Sequence, residues 1–345
     1  MDNQIVSRKN QIRSVFFIIV LMVITLIVIF REYSITQLVS VIKTASPIYL
    51  LAGILLMFLY IGCQGINMTM ILTTLGHPVS FLRCIQYVFV GNYFGAITPC
   101  ASGAQPAQLY YMNKDKIHVD LSAMCVFYLL FVSQIVILIL GGILVVFQLP
   151  LLMALPGWMN YLLICGSLFV LSVILVLSAF MFSKKTVPFI IHLGFRIGVR
   201  WHILKNPEVK KGKMEAMLLS YREKSKIILK HPDLFIRVLS VTIVQWLFYY
   251  MITYMVYRSF GHNAYSGFAL MTAQAIINIS LTAIPLPGSV GVAEKAFLII
   301  FQPYYTSEQL PLAMLLNRII NFYLMLFISF SIYMFVHFRV TRKKR

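Results

Sequence analysis

The stretch ITPCASGAQPAQLYY, residues 97–111, lies between two long apolar segments and interrupts them. It contains two prolines, a glycine, a serine and two glutamines, which break a regular helix or expose polar groups. Within a bilayer, such backbone is tolerated only where protein or a water-filled cavity satisfies its N–H and C=O groups. The stretch therefore predicts either a broken membrane helix whose tip faces a cavity or an ordinary surface loop.

The composition of the 345-residue chain indicates a membrane protein. Hydrophobic residues make up 60% of it, charged residues only 11%, and the mean hydropathy is +0.86. A soluble domain has about 25% charged residues, so too little polar surface remains here to cover a soluble fold. We predict an all-α polytopic membrane protein. The sequence has neither a Walker A motif nor a Rossmann fingerprint, and its cysteines and histidines show no metal-ligand spacing, so no cofactor and no metal are expected.

Apolar runs of the roughly 20 residues that a spanning helix needs recur along the chain. The first run follows three basic residues, as in a signal peptide, but no small-residue cleavage site comes after it, which predicts a retained helix. Two further regions, 81–111 and 264–302, are apolar but broken. Full spans are predicted at 15–30, 48–72, 121–147, 158–182, 235–257 and 312–337.

The net charge of +19 is concentrated between the predicted spans. Residues 184–237 contain thirteen Lys and Arg against four acids, and five more basic residues end the chain. Positive loops stay in the cytoplasm and meet anionic lipid, which explains this cluster better than nucleic-acid binding. Residues 206–232 predict an amphipathic helix on the membrane surface or against the bundle. The chain is thus predicted as one transmembrane domain, with halves 1–182 and 235–345 joined by a basic linker, 183–234.

If the N-terminus, the linker and the C-terminus all lie in the cytoplasm, each broken region must cross the membrane an even number of times. Each is therefore predicted to form a re-entrant hairpin, and the two hairpins open on opposite sides. The second break is AIPLPGSVGVAE, residues 283–294. Aligning Pro99 with Pro285 places Gln108 on Glu294. Broken segments in two inverted halves are typical of transporters with a midplane site, where restarting helices direct N–H groups at an anion.

Four segments carry a family resemblance: FVGNYFGAITPCASGAQPAQLYYMNK (89–114), KNPEVKKGKMEAMLLSYREKSKIILKHP (205–232), IPLPGSVGVAEKAF (284–297) and LNRIINFYLMLF (316–327). Together they resemble the lysylphosphatidylglycerol synthase transmembrane region family, the flippase part of the multiple peptide resistance factor. In full-length members, a following cytosolic domain transfers lysine or alanine from aminoacyl-tRNA to phosphatidylglycerol. That domain is not in this sequence, so transferase activity is not expected. Ser289 stands where the family commonly has glycine, which leaves the identity of the substrate open.

Arg318 is the residue that most strongly indicates chemistry in the predicted last span. A charge inside a membrane faces a partner or a cavity, so Arg318 is expected either to hold a phosphate or to snorkel to the interface. Glu294 would pair with it at rest, or else with the adjacent Lys295. The predicted substrate-binding residues are Thr98, Pro99, Ser102, Gly103, Gln105, Gln108, Pro287, Gly288, Ser289, Gly291, Glu294, Arg318 and Asn321, and no catalytic residue is predicted.

The residues and the resemblance together predict a flippase of the bacterial cytoplasmic membrane, with both termini in the cytoplasm. It would move an anionic or aminoacylated phospholipid, such as lysylphosphatidylglycerol, passively or driven by an ion gradient or the membrane potential. Three alternatives remain: a phosphatidylglycerol lysyltransferase, a carrier of polyprenyl-phosphate-linked sugars, and a membrane partner of a separately encoded aminoacyl-lipid synthase. The expected partners are membrane phospholipid, such a synthase and a second copy in a homodimer, but not nucleic acid.

Overall fold

The computed structural model describes residues 45–182 and 227–342, except residue 229. The predicted first span, 15–30, and most of the predicted linker helix lie outside these ranges. Every regular element in the described part of the chain is helical. The α-helices are α1 (Pro47–Thr74), α2 (Phe81–Ile97), α3 (Ala104–Lys114), α4 (Val119–Val146), α5 (Leu149–Ala154), α6 (Gly157–Phe182), α7 (Pro232–Ser259), α8 (Gly267–Leu281), α9 (Val292–Ile300), α10 (Gln309–Arg318) and α11 (Leu324–Arg342).

Five of the described helical stretches are long and apolar enough to cross a membrane, which confirms the predicted all-α polytopic class. They are α1, α4, α6, α7 and the continuous stretch from α10 to α11, here called the last helix. The last helix contains a π-helical turn at Ile319–Tyr323. Each of the five begins within three residues of its predicted start; the last helix begins at Gln309, ahead of the predicted residue 312.

The first broken region forms a hairpin of α2 and α3 around a turn at Pro99–Ala101, here called the first hairpin. Two contacts show that its limbs run back along each other. The Gln108 side chain donates to the Tyr87 carbonyl at 3.3 Å, and the Tyr87 hydroxyl donates to Asp115 at 2.8 Å. The first hairpin therefore begins and ends at the same end of the bundle, which agrees with an even number of membrane crossings.

The second broken region forms a matching hairpin of α8 and α9, here called the second hairpin, with its turn at Pro287–Ser289. Its two ends also lie together, since the rings of Tyr265 and Tyr304 are 4.7 Å apart. The two tips meet inside the bundle, where the Cys100 thiol lies 3.9 Å from the Ile284 carbonyl. The two breaks that the sequence places far apart thus form one junction.

The two tips have the same backbone geometry, in a register that differs from the sequence alignment. Each turn is a proline followed by two residues of positive φ, and each restarting helix follows directly after a glycine, Gly103 or Gly291. Pro99 therefore corresponds to Pro287, so the alignment of Pro99 with Pro285 is wrong by two residues. The positive φ values are 49° and 53° at Cys100 and Ala101, and 57° and 50° at Gly288 and Ser289.

The order long helix, hairpin, long helix occurs twice, and the two copies pack against each other in an inverted arrangement. Helices α1 and α7 are antiparallel: the Ser46 N–H donates to the Ser259 carbonyl at 2.8 Å, and Asn67 donates to Thr242 at 3.0 Å further along. These contacts join the start of one helix to the end of the other. The predicted inverted-repeat arrangement is confirmed.

Each hairpin packs against a long helix of the other half. In the first hairpin, Tyr93 stacks on Tyr333 of the last helix with the ring centroids 5.2 Å apart. In the second hairpin, the Thr272 hydroxyl donates to the Leu144 carbonyl of α4 at 3.4 Å. Because the halves interlock in this way, each tip is supported by helices from both halves.

Candidate functional site

The last helix connects the open ends of the two hairpins and passes their tips on the way. At its start, Gln309 bonds to His262 at 2.7 Å, beside the open end of the second hairpin. Near its end, the Arg339 guanidinium donates to Asp115 at 2.7 Å, at the open end of the first hairpin. Arg318 lies between these points, where α10 ends and the π-helical turn begins. The helix therefore carries its one interior arginine to the junction of the tips.

The Arg318 guanidinium faces the second tip. Its Nε donates to Glu294 at 2.6 Å, and its Nη2 donates to the Gly288 carbonyl at 3.1 Å. The guanidinium also lies over the Phe322 ring, 4.6 Å from its centroid, a cation–π arrangement. Since the side chain is 16% exposed, Arg318 is held inside the protein and does not snorkel. Its pairing with Glu294 is one of the two alternatives that the sequence leaves open for this carboxylate.

Glu294 binds the restarting helix as well as Arg318. Its second oxygen accepts a 2.6 Å hydrogen bond from the Gly291 N–H. Gly291 has φ of 82°, a conformation that favours glycine, and this brings its N–H over the carboxylate. In the first hairpin, the equivalent Gly103 N–H donates to the Thr98 hydroxyl at 2.8 Å. The N–H groups of both glycines are therefore satisfied within the protein.

A cavity of about 450 Å³, here called the tip cavity, lies where the two tips meet the last helix. Arg318 is the one charged side chain that the described residues contribute to its wall. Across the described part of the chain, no group of three or more His, Cys, Asp or Glu could hold a metal ion. The cavity thus combines one cation with neutral hydrogen-bonding groups, an arrangement suited to a single anionic group. Its amide side chains are Gln105, Gln134, Gln274, Asn278, Asn317 and Asn321.

A buried polar network supports the Arg318 side of the tip cavity. Asn317 donates to Thr253 and to Gln274, both at 3.2 Å, and thereby ties the last helix to α7 and α8. Asn321 in turn donates to Asn317. Asn317 therefore serves helix packing, one of the roles that its place beside Arg318 allows. Gln274 is not among the predicted site residues, although an amide side chain inside the apolar helix α8 is a feature that the sequence shows.

A second cavity of about 220 Å³, here called the amide cavity, lies beside the tip cavity. Gln105 and Leu130 line both, so the two spaces share a wall. Among the described residues, no charged side chain lines the amide cavity. Its walls come from α1, α2, α3, α4 and α7, and the sequence analysis selected only two of its residues. The polar side chains are Tyr60, Gln64, Asn67, Asn92, Gln105, Gln108, Ser133, Thr242 and Gln245.

The thirteen predicted site residues occupy three places in the structure. Some line the tip cavity, and Gln108 lines the amide cavity, joined there by Gln105. The others form the turns and caps behind these walls, which positions the lining residues. The tip-cavity residues are Gln105, Gly288, Ser289, Arg318 and Asn321, and the supporting ones are Thr98, Pro99, Ser102, Gly103, Pro287, Gly291 and Glu294.

A second ionic cluster, which the sequence analysis did not find, closes the open end of the first hairpin. The Asp115 carboxylate is 2% exposed, and Arg339 donates to it at 2.7 Å. Arg83 lies 3.6 Å from its other oxygen, and Arg339 also donates to Gln86. The cluster joins the first hairpin to the last helix near the end of the described chain.

The chain was compared with known families, curated proteins and solved structures. Residues 12–329 match the family described as "Lysylphosphatidylglycerol synthase TM region". A "UPF0104 membrane protein" of Archaeoglobus fulgidus is 22% identical over 294 residues, which are 84% of this chain and 86% of that protein. No solved structure matches. Since the family match spans nearly the whole chain and agrees with its long apolar helices, the chain belongs to the family of the lysylphosphatidylglycerol synthase transmembrane region.

Proposed function

We propose that the protein is a flippase that moves a phosphate-bearing lipid between the leaflets of the cytoplasmic membrane. The observation that carries the proposal is Arg318, the one charged side chain in a polar cavity formed where two inverted hairpins meet. A guanidinium recognises phosphate in a bidentate manner. The lipid headgroup would enter this cavity while the acyl chains remain in the bilayer.

The contacts of Arg318 indicate how a lipid would be taken up and released. At rest, Glu294 neutralises the guanidinium from behind the cavity wall, at 2.6 Å. An entering phosphate competes with this carboxylate for the same donors, and the carboxylate returns when the phosphate leaves. The guanidinium keeps an anionic partner throughout such an exchange, while the displaced carboxylate keeps its hydrogen bond from the Gly291 N–H.

The inverted halves supply the movement that translocation requires. The two tips meet inside the bundle, while the two hairpins open at opposite ends of the last helix. Rocking one half against the other would expose the tip cavity alternately at these ends. We further propose that the N-terminus, the basic linker and the C-terminus lie on the cytoplasmic side. The movement is passive, or is coupled to an ion gradient or the membrane potential.

The test is a leaflet-resolved assay in liposomes that contain phosphatidylglycerol labelled with a fluorophore on an acyl chain. A membrane-impermeant reductant bleaches the outer leaflet, so a flippase increases the fraction that is lost. We expect activity from the wild type, a loss of about 30-fold or more in Arg318→Ala, and a smaller loss in Arg318→Lys, which keeps the charge without the planar fork.

The matched control is Arg237→Ala, because Arg237 forms an exposed ion pair with Asp233 one helical turn away. Such a pair contributes about 1 kcal/mol or less, so this variant should transport like the wild type. Full activity in Arg318→Ala would refute the proposal, and so would wild-type liposomes that bleach no further than empty ones both with labelled phosphatidylglycerol and with a labelled polyprenyl-phosphate sugar.

A further inference from the structure

The amide cavity has a chemistry of its own that the phosphate site does not explain. It is lined by amides and hydroxyls without a charged side chain, although it adjoins the cavity that holds Arg318. Its volume of about 220 Å³ is several times the roughly 30 Å³ that one water occupies in the liquid. There is room for a small polar group connected to a phosphate in the tip cavity.

Asn67 shows what this group must offer. The residue is 1% exposed, and its Nδ2 donates to Thr242 at 3.0 Å. Its Oδ1 is buried in the cavity wall and has no hydrogen-bond partner among the described residues. Leaving a buried acceptor unpaired costs about 1–3 kcal/mol, so a ligand whose donor reaches this oxygen would gain affinity from pairing with it.

The tip cavity repeats this pattern. The Gln134 and Asn321 side-chain oxygens are buried there and also have no partner within the described ranges. The walls of both cavities therefore contain amide residues whose buried oxygens lack a partner among the described residues. A phosphate satisfies Arg318, and the hydroxyl groups of a polyol satisfy the amide oxygens.

The charge of the lining residues favours an uncharged polyol headgroup over a positively charged aminoacyl headgroup. The lining residues of the two cavities include no carboxylate, and Glu294 lies behind the wall with both oxygens engaged. A lysyl headgroup brings two ammonium groups, and no carboxylate among the described residues lines the amide cavity to receive them. Like charges placed together disfavour a ligand strongly.

We infer that the amide cavity is a headgroup subsite for an uncharged polyol joined to the phosphate that Arg318 holds. The lipid carried is then a net-anionic one, not an aminoacylated one. This inference rests on the proposed function for the phosphate site and narrows its substrate class. Two sources share the chemistry: a glycerol-headed phospholipid, and a polyprenyl-phosphate sugar.

The first experiment measures binding to the purified full chain in detergent by calorimetry. The probes are short-chain phosphatidylglycerol, phosphatidylethanolamine and lysylphosphatidylglycerol, together with a short polyprenyl-phosphate hexose. We expect the wild type to bind phosphatidylglycerol, the hexose lipid or both about tenfold or more tightly than the lysyl lipid. Whichever of the two binds more tightly identifies the source. Equal affinities for the lysyl lipid and both polyol lipids would overturn the inference.

The second experiment adds a charge to the subsite. Asn67→Asp introduces a carboxylate of nearly the same size, and we expect the preference for the polyol lipid over the lysyl lipid to fall about tenfold or reverse. Asn160→Asp is the matched control, because Asn160 lies in α6 and lines neither cavity. If Asn67→Asp does not fold, Gln64→Glu in the same wall takes its place. An unchanged preference in the folded variant, or an equal change in Asn160→Asp, would contradict the subsite.

The liposome assay separates this inference from the proposed function. A wild-type protein that binds polyol lipids selectively but moves none of them would refute transport and leave the subsite intact. A protein that moves the lysyl lipid as fast as phosphatidylglycerol would support transport and refute the subsite.

Discussion

The first and second hairpins share one backbone design, and they carry their charges at opposite ends. In the first, the tip is capped by a neutral group, with the Gly103 N–H donating to Thr98, while Asp115 and Arg339 close the open end. In the second, Glu294 and Arg318 hold the tip. Its open end is held by neutral rings such as Tyr265 and Tyr304.

The Asp115 cluster of the first hairpin is a fixed contact, whereas a ligand could displace the Glu294–Arg318 pair of the second. Asp115 is almost fully buried and receives two arginines and a tyrosine hydroxyl, so no single ligand could replace these contacts. Glu294 instead meets an arginine that also lines a cavity, where an anion can compete for it. Under the proposed function, we therefore expect a substrate to open the second tip, with the first hairpin as its fixed support.

The largest expected effect is on stability, from breaking the ionic cluster of the first hairpin. Asp115→Asn removes the carboxylate and leaves Arg339 partly buried without its partner, at a cost of about 3 kcal/mol in the free energy of unfolding. Denaturant titration in mixed micelles measures it. Asp233→Asn is the matched control, because Asp233 pairs with Arg237 on the surface and should cost about 1 kcal/mol or less. Equal costs would show that the cluster does not anchor the first hairpin.

A smaller effect is expected from removing the competing carboxylate of the second tip. Glu294→Gln keeps the size of the side chain but lowers its attraction for Arg318, so a lipid phosphate should bind about fivefold more tightly and leave more slowly. Calorimetry and the liposome assay give the two values, with Glu308→Gln at the N-terminal end of the last helix as the control. Weaker phosphate binding in Glu294→Gln would mean that the carboxylate assists the anion and does not compete with it.

The smallest effect is a change in thiol reactivity at the first tip. Cys100 and Cys165 are the exposed cysteines of the described chain, and only Cys100 lines the tip cavity. Short-chain phosphatidylglycerol should slow maleimide labelling of Cys100 in a Cys165→Ser background. It should leave Cys165 unaffected in a Cys100→Ser background. Protection of both thiols would indicate a general effect of lipid and not occupancy of the cavity.

Much of the fold was predictable because the membrane constrains it strongly. Apolar runs of sufficient length fixed the long helices, and the prolines and glycines marked both breaks. The pairing of Glu294 with Arg318 was predictable because an arginine in hydrocarbon requires a partner, and few acids are near enough in the sequence. The register of the tips was not, because the second break offers both Pro285 and Pro287, and only the backbone angles distinguish them.

The amide cavity and the ionic cluster could not be predicted, because their residues come together only in the folded chain. Asn67 and Thr242 are 175 positions apart, and Asp115 and Arg339 are 224 apart. Each of these side chains has an ordinary alternative role when it is considered alone. Polar side chains within apolar helices did mark candidates, but their partners depend on how the two halves interlock.

The π-helical turn at Ile319–Tyr323 determines in which direction around the axis of the last helix the later side chains point. Each residue of an α-helix turns the chain by about 100°, so the additional residue in a π turn rotates everything after it by a comparable angle. This rotation allows one helix to aim Arg318 at the second tip and Arg339 at the base of the first hairpin. After deletion of one residue from the turn, both arginines would remain in helices. Arg318 could then no longer contact the second tip while Arg339 contacts the first hairpin. The last helix thus ties the orientation of the arginine at the tip cavity to that of the arginine at the opposite end of the bundle, because one continuous backbone carries both.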